Sequence, residues 1–343
     1  MYRYVNIKYY FASGNTAKGL INLLPSNLHG ISQVIVLNGP SFTMKTYIIN
    51  KIVQSLSDQY DLEVIYSRVG KAYLDGVIIR EKSLAIISDT IALENLDNVK
   101  NVYLVSQETF HHEQKQEKES REKAYECFET ALSIHDELEK IYIREMDFSK
   151  ADQIAEKLID ELLYDVTNRN KAPHVYRRLF GTTTTEGAIN IVPELIGPLS
   201  RRIYLKGRAG TGKSFFMRKI AEAFLAKGFD LELYHCSFDP DSLDMVLVPS
   251  LGFCIFDSTA PHEFFPERED DQVIDLYERA VNPGVDERFE KEISEVTERY
   301  RSYIQEGIKY LQEAVLWQEK IEQQAQWSQQ ADLDEIVNEI LSL

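Results

Sequence analysis

Gly207-Arg-Ala-Gly-Thr-Gly-Lys-Ser214 has the Gly-x-x-x-x-Gly-Lys-Ser spacing of a phosphate-binding loop, and it stands between an apolar run, Ile203 to Leu205, and an amphipathic stretch beginning near Lys213. Glycines at 207, 210 and 212 let backbone N–H groups approach phosphate oxygens with no Cβ in the way, and a helix N-terminus adds a dipole that favours negative charge. The backbone from Gly207 through Arg208, Ala209, Gly210, Thr211 and Gly212 to Phe215 would line the ligand. Lys213 would bridge β- and γ-phosphates, and Ser214 would ligate Mg²⁺.

Three further groups of residues belong with this loop. Phe253-Cys-Ile-Phe-Asp257 reads as a buried strand that delivers a carboxylate at its end, where Asp257 would hold Mg²⁺ through water. His235-Cys-Ser-Phe-Asp-Pro-Asp-Ser-Leu-Asp244 follows another strand-like run. Its Asp239, Asp241 and Asp244 could orient an attacking water, bind the metal's water shell or hold a second substrate. An Asp/Ser/Pro turn capping a helix explains the same residues equally well. His262 could sense a γ-phosphate or simply be a surface histidine.

The elements that must position these residues occur twice. Gly39-Pro-Ser-Phe-Thr-Met-Lys-Thr46 lies under Gly207–Ser214 at an offset of 168 residues, which also sets Gly19-Leu-Ile-Asn22 under Gly187-Ala-Ile-Asn190. Downstream the offset is 169 and pairs Asp61-Leu-Glu63 with Asp230-Leu-Glu232. Each copy opens on a strand-like run, Tyr4 to Ala12 or His174 to Phe180, which with the turn and short run after it predicts a hairpin. A strand, the loop, a helix, a strand and another apolar run follow. The fold class expected is α/β: two tandem P-loop NTPase-like three-layer domains with mainly parallel sheets, spanning 1–170 and 171–343.

Long charged helical insertions complete each copy, a helical hairpin over 111–163 and C-terminal helices over 286–343. Tyr125, Phe128, Leu132, His135 and Leu138, and Ile293, Val296, Tyr300, Ile304, Ile308, Leu311 and Val315, fall at helical spacing and give each one buried stripe. The stripes predict packing on the copy's own domain, or an arm for a protein partner. Glu322 to Gln330 is polar all round and is expected to fray.

The first copy has lost parts. Phe42 and Met44 replace Gly210 and Gly212, Ser88 replaces Asp257, Leu93 replaces His262, and Gly70 and Ala72 replace Asp239 and Asp241. Lys45 and Thr46 survive, and Asp89 could stand in for Asp257 after a small register shift. A pseudo-domain with weak or no nucleotide binding is expected.

The 343 residues are 44% hydrophobic and 27% charged, as in ordinary folded proteins. A net charge of -17 opposes broad contact with nucleic-acid phosphates or anionic lipid. The widely spaced Cys127, Cys236 and Cys254 suit free thiols in a reducing cytoplasm. Met1 to Phe11 lacks a signal-peptide core, and Met245 to Phe256 is too short to span a bilayer.

The whole pattern resembles a bacterial family of tandem P-loop ATPases whose halves carry an Ala-Ser-Gly-Asn-Thr-Ala-x-Gly-like or Thr-rich opening, a P-loop, a His-Cys-Ser-x-Asp segment and an Asp-x-Thr-Ala-Pro-His segment. Gly207 to Ser214, His235 to Ser237, Asp239, Asp244 and Asp257 to His262 match it in the second half. The first half keeps Ala12 to Gly19 but departs at Met44, Arg68 and Leu93. The resemblance implies ATP binding and hydrolysis in the cytoplasm and no particular substrate. A kinase of a small acceptor, and a nucleotide-gated scaffold with negligible turnover, are the competing expectations.

Overall fold

The computed structural model describes residues 6–104, 110–260, 262–324 and 330–342. In the first copy β1 (Ile7–Phe11), β4 (Gln33–Asn38), β5 (Leu62–Ser67), β6 (Gly70–Ile79), β7 (Leu84–Ser88) and β8 (Val99–Tyr103) form sheet strands, and α2 (Phe42–Leu56) follows the loop. Their counterparts in the second are β12 (Arg201–Lys206), β13 (Leu231–His235), β14 (Leu243–Val248), β15 (Phe253–Asp257) and β16 (Gln272–Asp275), with β9 (Val175–Leu179) answering β1 and α6 (Lys213–Ala226) answering α2.

All twelve strands make one sheet, in the order β16-β12-β15-β14-β13-β9-β1-β5-β6-β7-β4-β8. The two copies meet at its centre, where Phe11 pairs antiparallel with Leu179, as a pseudo-twofold requires. The pairs β1–β5, β9–β13, β4–β7, β4–β8, β12–β15 and β12–β16 are parallel. β6 and β14 run antiparallel to both of their neighbours. The order of strand, loop, helix, strand and apolar run does not include these two strands; every residue of Leu243–Val248 is buried, so no alternation marks a strand there.

The expected opening hairpin is displaced by one segment. The apolar run forms β1 or β9 and enters the central sheet. The hairpin is made instead by β2 (Ser13–Thr16) with β3 (Gly19–Asn22), and by β10 (Gly181–Thr184) with β11 (Gly187–Asn190).

One face of the sheet carries a continuous core running from Val34 and Ile87 in the first copy to Tyr204 and Phe256 in the second. The other face carries two cores, one per copy, and the helices over them are exchanged. α4 (Phe148–Leu163), from the first copy, packs on α6 and puts Ala155, Leu158 and Leu162 into the second core. α10 (Gln330–Leu341), from the second, packs on α2 and puts Leu333, Val337 and Ile340 into the first. At about 1.5–3 kcal/mol per buried aliphatic side chain, each exchanged helix contributes on the order of 5 kcal/mol.

The predicted stripes pack mainly on each other across the copies, while Tyr125 also bonds Asn15 in the hairpin of its own copy. α3 (His111–Ile143) and α9 (Glu290–Gln324) pack along each other, with Phe128, Leu132, Ile304 and Leu311 in one cluster. They run antiparallel, since Phe110 meets Ile321 at one end and Tyr142 bonds Asp286 near the other. Phe128 lies so close to Gly307 that a Cβ there would collide with its ring. The predicted hairpin over 111–163 opens into α3 and α4, which follow different partners. Most of the stretch Glu322 to Gln330 expected to fray lies outside the described residues. No described helix is long and apolar enough to cross a membrane.

Candidate functional site

β12 ends at Lys206 and α6 begins at Lys213, so the intervening loop turns at the carboxyl end of a parallel strand pair. Gly210 and Gly212 take φ of 74° and 76°, a left-handed conformation costly for any residue with a Cβ. The α6 N-terminus has no side-chain cap, which leaves its first N–H groups to the loop's concave side. Lys213 Nζ donates to the Arg208 carbonyl at 2.8 Å and lies 3.6 Å from Asp257 Oδ2. Ser214 Oγ accepts from Leu243 N at 2.8 Å. Arg208 turns away to pair with Asp286 at 3.0 Å and stack on Tyr277, and Phe215 is exposed. Ala209 is half-buried, while Thr211 is buried and donates its hydroxyl to the Arg208 carbonyl at 2.8 Å.

Asp257 pairs in register with Leu205, so β15 delivers it beside the loop. Thr259 fixes its Oδ1 through both N and Oγ1. Asp244 lies one step beyond the Met245–Phe256 pair, at the same end of the sheet. It is buried, and burial, with Asp257 beside it, raises its carboxyl well above the usual range. His262 is 7% exposed and turns its edge to the Phe180 ring. Its Nδ1 has no hydrogen-bond partner among the described residues, and burial lowers its pKa against the pull of Asp257. It is a buried histidine, not a surface one.

Asp239 and Asp241 sit in the turn that the alternative reading expected. Asp239 accepts from Ser242 Oγ at 2.9 Å, and Lys18, at the tip of the first copy's hairpin, pairs with both carboxylates. Sequence reasoning missed what the first copy brings to this loop. A Cβ on Gly210 would lie 2.5 Å from the Glu139 carbonyl of α3, and one on Gly212 would touch Phe148 of α4. Burial raises the Glu139 carboxyl, and Asp136 and Asp239 add to that shift against Lys213. No sequence signal could place these residues, because they reach the loop only through the helix exchange.

The first copy's loop is closed by its own chain. Phe42 and Met44, which replace glycines, are both buried, Met44 in the core beneath α2 and Phe42 against the Tyr73 ring. Lys45, 1% exposed, donates to the Gly39 carbonyl at 2.9 Å and pairs with Asp89 at 2.7 Å. Leu37 pairs with Ser88 just as Leu205 pairs with Asp257, so Asp89 reaches Lys45 without any register shift. Glu322 of α9 occupies the anion position at the α2 N-terminus: its Oε1 accepts from Phe42 N at 2.7 Å and its Oε2 from Ser41 Oγ at 2.6 Å. Thr46 keeps the Ser214 role, accepting from Leu74 N at 3.0 Å.

No protein-family model, no curated protein and no solved structure matches the chain.

Proposed function

We propose that the chain is a Mg²⁺-dependent nucleoside triphosphatase, with ATP as its nucleotide, working at the loop 207–214 beside a first copy that does not bind nucleotide. The observation that carries this reading is the pair of left-handed glycines, Gly210 and Gly212, ahead of an uncapped α6 and a lysine folded back onto the loop. Such a cradle suits phosphate oxygens, and the first copy shows the same position holding the carboxylate of Glu322.

Ser214 and Asp257 would hold the metal, which supplies charge neutralisation to the phosphate oxygens. The donor set fits. Among the described residues there is no cluster of three or more His, Cys, Asp or Glu able to hold a metal. One hydroxyl, one carboxylate and oxygens of the ligand and water are what Mg²⁺ takes beside phosphates. Burial keeps a proton on Asp244, so Asp257, beside Lys213, is the carboxylate left to the metal. In this reading Lys213 binds the terminal phosphates, Thr259 orients Asp257, Asp244 holds a proton, and His262 Nδ1 has no partner among the described residues.

The acceptor-kinase reading is weakened because Asp239 and Asp241 are engaged by Lys18 and their own turn. The scaffold reading gains one observation: the α3 backbone rests on Gly210, so an occupied loop would press on the long helix pair. Titration calorimetry with ATP and Mg²⁺ is expected to find one site per chain, lost in a folded Lys213→Ala variant. Two equivalent sites, or undiminished binding in that variant, would refute the assignment.

A further inference from the structure

The first copy holds a cavity of about 510 Å³ between its closed loop and the helices α3 and α9, a size typical of small-molecule sites. Its charged walls are largely self-compensated: Lys45 pairs with Asp89, Arg121 with Glu117 and Lys118 with Glu122. Arg68 is the exception. It is 8% exposed, its Nε and Nη1 have no partner among the described residues, and its side chain makes no ion pair or hydrogen bond there. The acid behind it is buried Asp75, which makes no hydrogen bond or ion pair with it and whose carboxyl burial shifts toward the neutral form against the pull of Arg68 and Lys45.

A buried guanidinium without a partner is costly and is retained where something pairs with it. Arg121, 6% exposed, stands beside it and also has an unpartnered Nε. The loop N–H groups that would take a polyphosphate are already bonded to Glu322. Leu20, Phe42, Tyr125 and Ile321 give the remaining wall an apolar or aromatic side, beside the polar Thr90, Gln114 and Gln318. We propose that this cavity binds a small organic anion, one carboxylate or phosphate group on an apolar body, with the oxyanion held by Arg68 and Arg121. The second copy has Ser237 where Arg68 stands, so the site belongs to the first copy alone.

The proposal does not rest on the triphosphate reading, and its test is run in the Lys213→Ala background so that the second loop cannot report. Benzoate and phenyl phosphate are titrated calorimetrically into that full-length chain. Saturable binding of either is expected, and the tighter of the two identifies the oxyanion. Arg68→Gln should weaken it at least tenfold. Leu20→Trp, at a half-exposed position on the cavity wall, should do the same by filling the space while the melting temperature holds. Absence of binding by both probes, or affinity unchanged in both variants, overturns the proposal.

Discussion

Asp244 and Asp257 face each other across two antiparallel strands; Thr259 donates twice to Asp257, while Asp244 has the Cys236 thiol beside it. A carboxyl whose folded pKa is raised binds its proton more tightly folded than unfolded. Stability therefore falls as pH rises from the unfolded value, near 4, through the raised folded one, and stays lowered above it. Asp244→Asn removes that cost. The variant is expected to melt higher than the native chain at pH 9, by about 1–3 kcal/mol of stability, and at the native temperature near pH 4. An equal effect at both pH values would show that the charge of Asp244 is not what burial opposes. The second loop and Asp257 were legible at this scale because spacing along the chain fixes them locally. Buried His262 was not, since the ring it packs against, Phe180, is far away in sequence.

Glu322 shows how an element can hide a residue's role. It lies in a Gln-rich stretch that reads as polar on every side, yet α9 buries Ile321 against Phe110 and so aims Glu322 at the α2 N-terminus. Glu322→Ala should destabilise the chain by about 1–2 kcal/mol, as loss of a capping acceptor at a helix N-terminus does. Millimolar inorganic phosphate should recover part of that loss in melting temperature. Failure of phosphate to recover anything would mean that the vacated position does not take anions. Restoring glycine at Phe42 and Met44 is a poorer test, because both side chains are buried, Met44 in the core, and removing a buried side chain costs about 2–5 kcal/mol. The stripes on α3 and α9 announced that a face is buried. Apolar spacing carries no information about the partner, and so the exchange between copies stayed invisible.

At the scale of the molecule, one sheet and two exchanged helices make the copies interdependent. The seam is held by Arg178, 1% exposed, which pairs with Glu63 at 2.8 Å and Glu232 at 3.0 Å. Burial would raise the Glu232 carboxyl, but Arg178 and Lys8 outweigh it and hold it at about 2. Its contribution is present above the unfolded value near 4.5 and fades as pH falls toward 2. Segments 1–170 and 171–343 expressed separately each lack the helix that covers their core, so each should be insoluble or partly folded alone and soluble when expressed together. Two independently cooperative halves would contradict the exchange. The central claim, that the loop 207–214 hydrolyses a nucleoside triphosphate, is tested most directly by phosphate release from ATP by the purified chain, beside the Lys213→Ala variant. The account predicts release that requires Mg²⁺ and disappears in the variant; release no greater than that of the variant would contradict it.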